Sequence, residues 1–463
     1  MDSKRRLTNL SVIITFILLK NSQDDEIKAT TSACASNLCR HRAAQRRSIE
    51  FVEYTLDNGL HVILHQDNTT PIVAVTVTYH VGSKNERPDR TGFAHYMEHL
   101  MFEGSKYIER GEFFKIVQDA GGQINAYTSF DKTHYYELLP SNQLELGLWM
   151  EAERMLHLVI DSIGVETQRS VIKEERSQNY DNRPYGSMIE EIFSHAYHKH
   201  PYQWVPIGSV QYIDEATLEE FREFHSTYYV PNNAVLAIAG DIDIERTKKL
   251  IDKYFADIPR GTKEIFRPNV VEPPLGGEVR DIVYDNIQLP AVIQAYRIPE
   301  KGHPDSYAIS MLTNILSTGE SSRMHKAIVD EQQKGLAVMS FSFPLADPGL
   351  YMVFGIANMG IDPNELESAI NEQIELFRKE GITEREFKKT RNMMETNFIT
   401  SNARMATIAD NLAEYHIFHG DAGLINTEIE RYMQVTIDDI KRVAKKYLTA
   451  NNRVVLHYLP KSE

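Results

Sequence analysis

Thr91-Gly92-Phe93-Ala94-His95-Tyr96-Met97-Glu98-His99-Leu100-Met101-Phe102 is the stretch on which the reading of this chain turns. Phe93, Ala94, Met97 and Met101 recur at the spacing of a helix with one apolar face. Residues four apart on a helix lie one turn apart on the same face, so His95 and His99 can reach one metal ion. Glu98 lies beside them. An ion held there lowers the pKa of a water molecule toward neutrality, and Glu98 is placed to take its proton. A solvated helix face with two histidines and a glutamate is the bland reading of the same residues. The motif therefore needs a third ligand before it carries weight. The helical stretch Gln168-Arg169-Ser170-Val171-Ile172-Lys173-Glu174-Glu175-Arg176 offers two carboxylates, and spacing alone does not choose between Glu174 and Glu175.

Outward from this stretch, Glu53 to Leu64 reads as strand, tight Asn58-Gly59 turn, strand. Pro71 to Val81 reads as another strand. Helical patterns cover about 92–103 and 110–119, the second stopped by Gly121-Gly122, and an alternating strand pair covers 123–139. Helices are predicted over roughly 141–160 and 164–181, and the apolar strand 234–239 closes this first half. Residues 263–280 are aperiodic and richer in Pro and Gly, as a linker is. Beyond them strands, helices over about 305–333, a strand over about 337–356, more helices and a last strand over 453–458 follow in similar order. Tyr229-Val230-Pro231-Asn232-Asn233-Ala234-Val235-Leu236 is echoed by Tyr447-Leu448-Thr449-Ala450-Asn451-Asn452-Arg453-Val454-Val455-Leu456, which points to an internal duplication. Strand and helix blocks with hairpins imply an α+β class: two related domains, 49–262 and 281–463, joined by the linker 263–280.

A length of 463 residues allows two or three domains with real cores. The formal charge of −15 argues against nucleic acid, which calls for clustered Lys and Arg. Cys34 and Cys39 are the only cysteines, so no zinc ribbon or disulfide framework is available and a metal must be held by His and carboxylate. Lys4, Arg5 and Arg6 precede an apolar run from Leu10 to Leu19. That is the pattern of an export signal and too short for a transmembrane span. Lys20-Asn21-Ser22-Gln23 is not a small-residue cleavage site. Residues 1–48 are expected to be a targeting or disordered segment. Export to the periplasm is the first reading; a mitochondrial presequence or a cytoplasmic chain with a misassigned start are the alternatives.

Several stretches together resemble the pitrilysin-type peptidases, the family that includes the mitochondrial processing peptidase and insulin-degrading enzyme. They are Asp57-Asn58-Gly59-Leu60, the run from Gly92 to Gly104, Gly121-Gly122-Gln123-Ile124-Asn125-Ala126-Tyr127-Thr128, Val171-Ile172-Lys173-Glu174-Glu175 and Tyr229-Val230-Pro231-Asn232-Asn233. The likeness spans about residues 50–460 and looks closest to the bacterial half-length members. His-x-x-Glu-His is the inverzincin motif. The resemblance implies a third ligand in the mid-seventies after the second histidine, and Glu175 lies 76 residues after His99. It thus implies one zinc ion per chain on His95, His99 and Glu175, with Glu98 as general base. It further implies two homologous metallopeptidase-type α/β sandwich domains that form one half of a clamshell. A peptide substrate would add as a strand beside Asn125-Ala126-Tyr127-Thr128, with Asn125 and Ala126 in contact with it; for Asn125 the alternative is a turn residue.

The second half has Met311 to Gly319 where the motif would fall, so it is expected to be the inactive partner domain. Two departures stand out. Gln168 occupies a position at which many members carry Glu. Val338 stands where active members carry a Tyr, with no Arg seven residues before it. Those two groups help hold the substrate carbonyl. The implied assembly is therefore a homodimer, or a heterodimer with a paralogous subunit, in which the partner supplies Arg and Tyr. The expected activity is that of a zinc metalloendopeptidase on peptides or unfolded polypeptides. The alternative is a non-catalytic structural or peptide-binding subunit of the same fold. His195, His198 and His200 are expected to be structural or solvated, and Tyr135, Tyr136, Tyr228 and Tyr229 to serve packing.

Overall fold

A computed structural model describes residues 48–461, and the unit Ile49–Glu463 carries all of the strands. Both cysteines, the apolar run Leu10–Leu19 and the rest of the expected targeting segment up to residue 47 lie outside the described residues. No described helix is long and apolar enough to cross a membrane.

The first half builds a six-stranded sheet. Its strands are β1 (Val52–Thr55), β2 (His61–Gln66), β3 (Ile72–Tyr79), β4 (Gln123–Thr128), β5 (Thr133–Pro140) and β6 (Ala234–Gly240), in the order β1-β2-β6-β3-β5-β4. The β1–β2 hairpin turns at Asn58-Gly59, where Gly59 takes φ 91°, a conformation that favours glycine. Asn58 Nδ2 clamps the turn by donating to the carbonyls of Phe255 at 2.8 Å and Ile258 at 2.9 Å. The second half builds a five-stranded sheet from β7 (Val279–Asp285), β8 (Ala291–Arg297), β9 (Gly335–Phe343), β10 (Leu350–Ala357) and β11 (Arg453–Pro460), in the order β7-β11-β8-β10-β9.

The two sheets repeat one topology. β2 runs parallel to β6 and β7 parallel to β11, and every other shared pairing is antiparallel. The repeated asparagines do the same job in each. Asn233 Nδ2 donates to Tyr228 O at 2.7 Å and Asn452 Nδ2 to Tyr447 O at 2.9 Å, each as the last residue of a 3₁₀ turn that leads into β6 or β11.

β6 and β10 are apolar and buried along their whole length, so both sheet faces must be covered. One face of the first sheet is covered by the second half. The helix Met405–His419 lays Met405, Ile408, Ala409, Leu412 and Ala413 against Ile63, Ala74, Val235, Ala237 and Ala239. The exchange is reciprocal. The helix Met188–Ala196 packs on β8 and β11, with Phe193 edge-on to Phe343 at 5.6 Å and Ser187 Oγ 3.0 Å from Tyr458 Oη.

One sequence expectation is corrected and two are refined. The helices expected over 305–333 are a helix, Pro304–Ser317, and, after a break at Thr318-Gly319, a separate π-helical segment, His325–Glu331. The strand region 337–356 is a hairpin, β9 and β10, turned at Asp347-Pro348-Gly349. The helix predicted over 164–181 ends as α-helix at Arg176 and continues as a π-turn, Ser177–Asp181.

One buried ion cluster holds the helix Leu144–Leu156 under the first sheet. Arg154 is fully buried, 3.1 Å from Glu151 and 3.4 Å from Glu137, both equally buried. The rings of Phe102, Phe113 and Tyr135 surround its guanidinium at 4.5–4.8 Å. Burial and the neighbouring Glu151 push the Glu137 carboxyl well above its ordinary range. Removing the only cation leaves two carboxylates in a dry site. Arg154→Met is therefore expected to destabilise the protein by about 3–5 kcal/mol, read as a lower urea midpoint at unchanged m.

Candidate metal centre

The helix Phe93–Leu100 begins at Gly92 with φ 96°, packed so closely on Gly208 that a Cβ on Gly208 would lie 2.4 Å from Gly92. Its first amides are satisfied by a buried carboxylate: Glu86 accepts from Gly92 N at 2.9 Å and Ala94 N at 2.7 Å. Phe93 stacks on Phe221 and Tyr96 meets it edge-on, which turns the opposite helix face outward. The second element is the helix Ser162–Arg176, capped by Asp161, whose side chain accepts from Gly164 N. Tyr96 joins the two helices by donating to Val165 O at 2.5 Å.

This packing brings His95, His99 and Glu175 together. The two Nε2 atoms are 3.3 Å apart, and Glu175 Oε2 lies 3.4 Å from His99 Nε2 and 3.7 Å from His95 Nε2. A tetrahedral ion with ligands at ~2.1 Å needs ligand atoms about 3.4 Å apart, so the donor set fits zinc. The imidazole planes cross at 75°, which lets both lone pairs converge. Burial, helped by His99, pushes the His95 pKa down to about 4, so His95 is neutral with its lone pair free. Burial also acts downward on His99, yet the Glu175 and Glu98 carboxylates outweigh it. The hydrogen bond from His99 holds Glu175 below the ordinary carboxylate range. Glu174, the other carboxylate considered, is exposed and accepts from Gln178 instead.

Glu98 is 8% exposed, and burial raises its pKa to about 7 against the pull of a hydrogen bond from Thr128 Oγ1 at 2.5 Å. The sequence puts Thr128 on the expected substrate edge but gives no sign of its bond to Glu98. Thr128 ends β4, and among the described residues β4 pairs with β5 alone, which leaves its outer edge free of them. Asn125 and Ala126 lie on this strand, Asn125 exposed, with Asn125 Oδ1 accepting from Ala126 N at 2.9 Å. Gln168 sits beside the metal ligands, where His99 Nδ1 is 3.0 Å from its Oε1.

The remaining candidates fall elsewhere. His195 pairs with Asp281 at 3.1 Å, His200 Nδ1 accepts from Tyr202 N, and His198 meets Glu272 through its backbone amide. Tyr135 and Tyr229 pack with Tyr79 in the core. One further trio of His and carboxylate groups close enough to share an ion exists among the described residues: Glu53, His61 and His416. Its imidazoles stack at 3.5 Å with planes only 10° apart. An imidazole binds a metal in its ring plane, and two parallel planes at that spacing do not share an in-plane ion at ~2.1 Å. The group instead ties the β1–β2 hairpin to the helix Met405–His419.

The chain is similar to known proteins in both sequence and fold. Residues 61–205 match the family model described as Insulinase (Peptidase family M16), and residues 215–394 match the one described as Peptidase M16 inactive domain. Zinc protease PqqE of Helicobacter pylori is 32% identical over 396 residues, covering 85% of this chain and 89% of that protein. The uncharacterized zinc protease YmxG of Bacillus subtilis is 23% identical, covering 87% of this chain and 97% of its own length. The crystal structure of a protease from Helicobacter pylori superposes with a TM-score of 0.86 at 30% identity, over 89% of this chain and all of that one. The periplasmic protease PqqL of Escherichia coli shares the fold at 18% identity and a TM-score of 0.71, but this chain spans only 47% of it. With sequence and fold matched over most of their length, the chain belongs to peptidase family M16.

Proposed function

We propose that this chain is the metal-bearing subunit of a zinc metalloendopeptidase that cuts peptides or unfolded polypeptides. One observation carries the proposal: three ligand atoms 3.3–3.7 Å apart lie beside a buried glutamate that is hydrogen-bonded to a free strand edge. His95, His99 and Glu175 would hold the ion. When bound, zinc supplies Lewis acidity, which makes a water molecule a usable nucleophile near neutral pH. Glu98 accepts the proton of that water and returns it to the leaving amine. Burial, which lifts its pKa to about 7, suits it to both roles. The free edge of β4 binds substrate main chain as an added strand. Asn125 and Ala126 lie on this edge; the Asn125 side chain caps the Ala126 amide here and would swing aside to let an added strand pair with it. Main-chain recognition tolerates many sequences. In this reading residues 49–262 form the catalytic domain, 263–280 the linker and 281–463 the inactive domain.

The carbonyl-holding groups come from a second subunit. Val338 is buried in the core of the second half, on β9, and Glu331 stands seven residues before it. Neither can stabilise an oxyanion. The test is hydrolysis of a quenched fluorescent peptide library by the zinc-loaded chain, alone and mixed with a family member that carries the Arg and Tyr. Mixing is expected to raise the rate at least about tenfold, within the effect of one oxyanion donor. Equal rates alone and mixed would show that this chain needs no such partner. The non-catalytic reading predicts no cleavage in either case.

A further inference from the structure

We infer that Gln168 is a positioning residue for the metal: its amide fixes His99 with the proton on Nδ1 and the Nε2 lone pair toward His95 and Glu175, and Glu103, Arg110 and Asp161 fix the amide. The inference rests on the metal site proposed above.

The contacts form a closed circuit. Gln168 Oε1 is 3.0 Å from His99 Nδ1, and Gln168 Nε2 is 2.5 Å from Glu103 Oε1. Glu103 Oε2 accepts from Arg110, and Arg110 Nη2 grips Asp161 at 2.9 and 3.0 Å. Asp161 accepts from Gly164 N at 2.8 Å and so caps the very helix that carries Gln168 and Glu175.

Chemistry settles which way the amide points. A glutamine has one donating end and one accepting end. Glu103, 6% exposed and paired with Arg110, presents acceptors only. The NH2 group must therefore face Glu103, and the oxygen must face His99. His99 Nδ1 is then the donor, which leaves Nε2 as the ligand atom. His95 has no equivalent support: its Nδ1 is buried without a hydrogen-bond partner among the described residues. Orientation of the ligand set thus rests on the His99 branch.

This makes a glutamate at position 168 unsuitable here. Gln168→Glu would bring two carboxylates into contact and remove the donor that Glu103 accepts. Exchanging the pair, Glu103→Gln with Gln168→Glu, rebuilds every link. The new amide at position 103 would accept from Arg110 and donate to the new carboxylate at position 168, which in turn would accept from His99.

The experiment is zinc affinity of the full chain by competition with a chromophoric chelator, with the thermal midpoint of each metal-free variant as a folding check. Q168L and Q168E are each expected to weaken zinc binding about 10–100-fold. The double variant E103Q/Q168E is expected to return to wild-type affinity. H99A is the reference for the site itself and is expected to bind zinc more weakly than any of them. Q168L and Q168E binding zinc as the wild type does, beside a weakened H99A, would overturn the relay. So would a double variant no tighter than Q168E. Undiminished zinc binding by H99A would overturn the metal site, and the relay with it.

Discussion

Replacing Glu98 by Gln is expected to lower kcat about 10²–10⁴-fold while zinc content and peptide affinity stay as they were. The substitution is close to isosteric. The amide oxygen it introduces would still accept the hydrogen bond from Thr128 Oγ1, so the end of β4 and the histidine helix keep their junction. What is lost is a group able to hold a proton at neutral pH. The ligand atoms of His95, His99 and Glu175 are untouched, and the free β4 edge lies on a different element. Rates should be taken with the assembly that cleaves best and with zinc measured in the same samples. A variant as active as the wild type would end the case for Glu98 as base.

Glu175→Gln should remove most zinc binding, whereas Glu174→Gln should be silent. The two neighbours differ by one residue in sequence and completely in surroundings. Glu175 points between the histidines at 3.4 and 3.7 Å, and Glu174 is exposed beside Gln178. Complete zinc sites supply ~10–16 kcal/mol, so one ligand's share is about 3–4 kcal/mol, or roughly 10²–10³-fold in Kd. A second readout follows from linkage. Zinc should raise the thermal midpoint of wild type and E174Q, but not of E175Q at the same free zinc. Equal losses in both variants would mean that the third ligand has been misassigned.

The two histidines and Glu98 could be read from the chain because helical spacing by itself puts them on one face. Glu175 could not: two adjacent carboxylates on a predicted helix look alike until the packing of Tyr96 on Val165 sets the rotation of one helix against the other. The resemblance to a known family supplied that choice. Glu103, Arg110 and Asp161 left no signal, because their meaning lies in contacts between segments up to 65 residues apart. The missed turn at Asp347-Pro348-Gly349 is different. Pro348-Gly349 is an ordinary turn signal, overridden by the long apolar runs on either side. The helix Met405–His419 shows an apolar face in sequence, but nothing in a periodicity says which sheet that face will meet.

That helix and its counterpart Met188–Ala196 sit at matching places in the two repeats, each followed by two helices and the central strand β6 or β11. Each lies on the other repeat's sheet. Such reciprocity is the signature of a domain swap between identical protomers. A single repeat on its own would have one sheet face bare and one helix without a seat. Only the first repeat brings His95, His99 and Glu175 together, yet its core is closed by the second, whose helix Met405–His419 covers one face of its sheet.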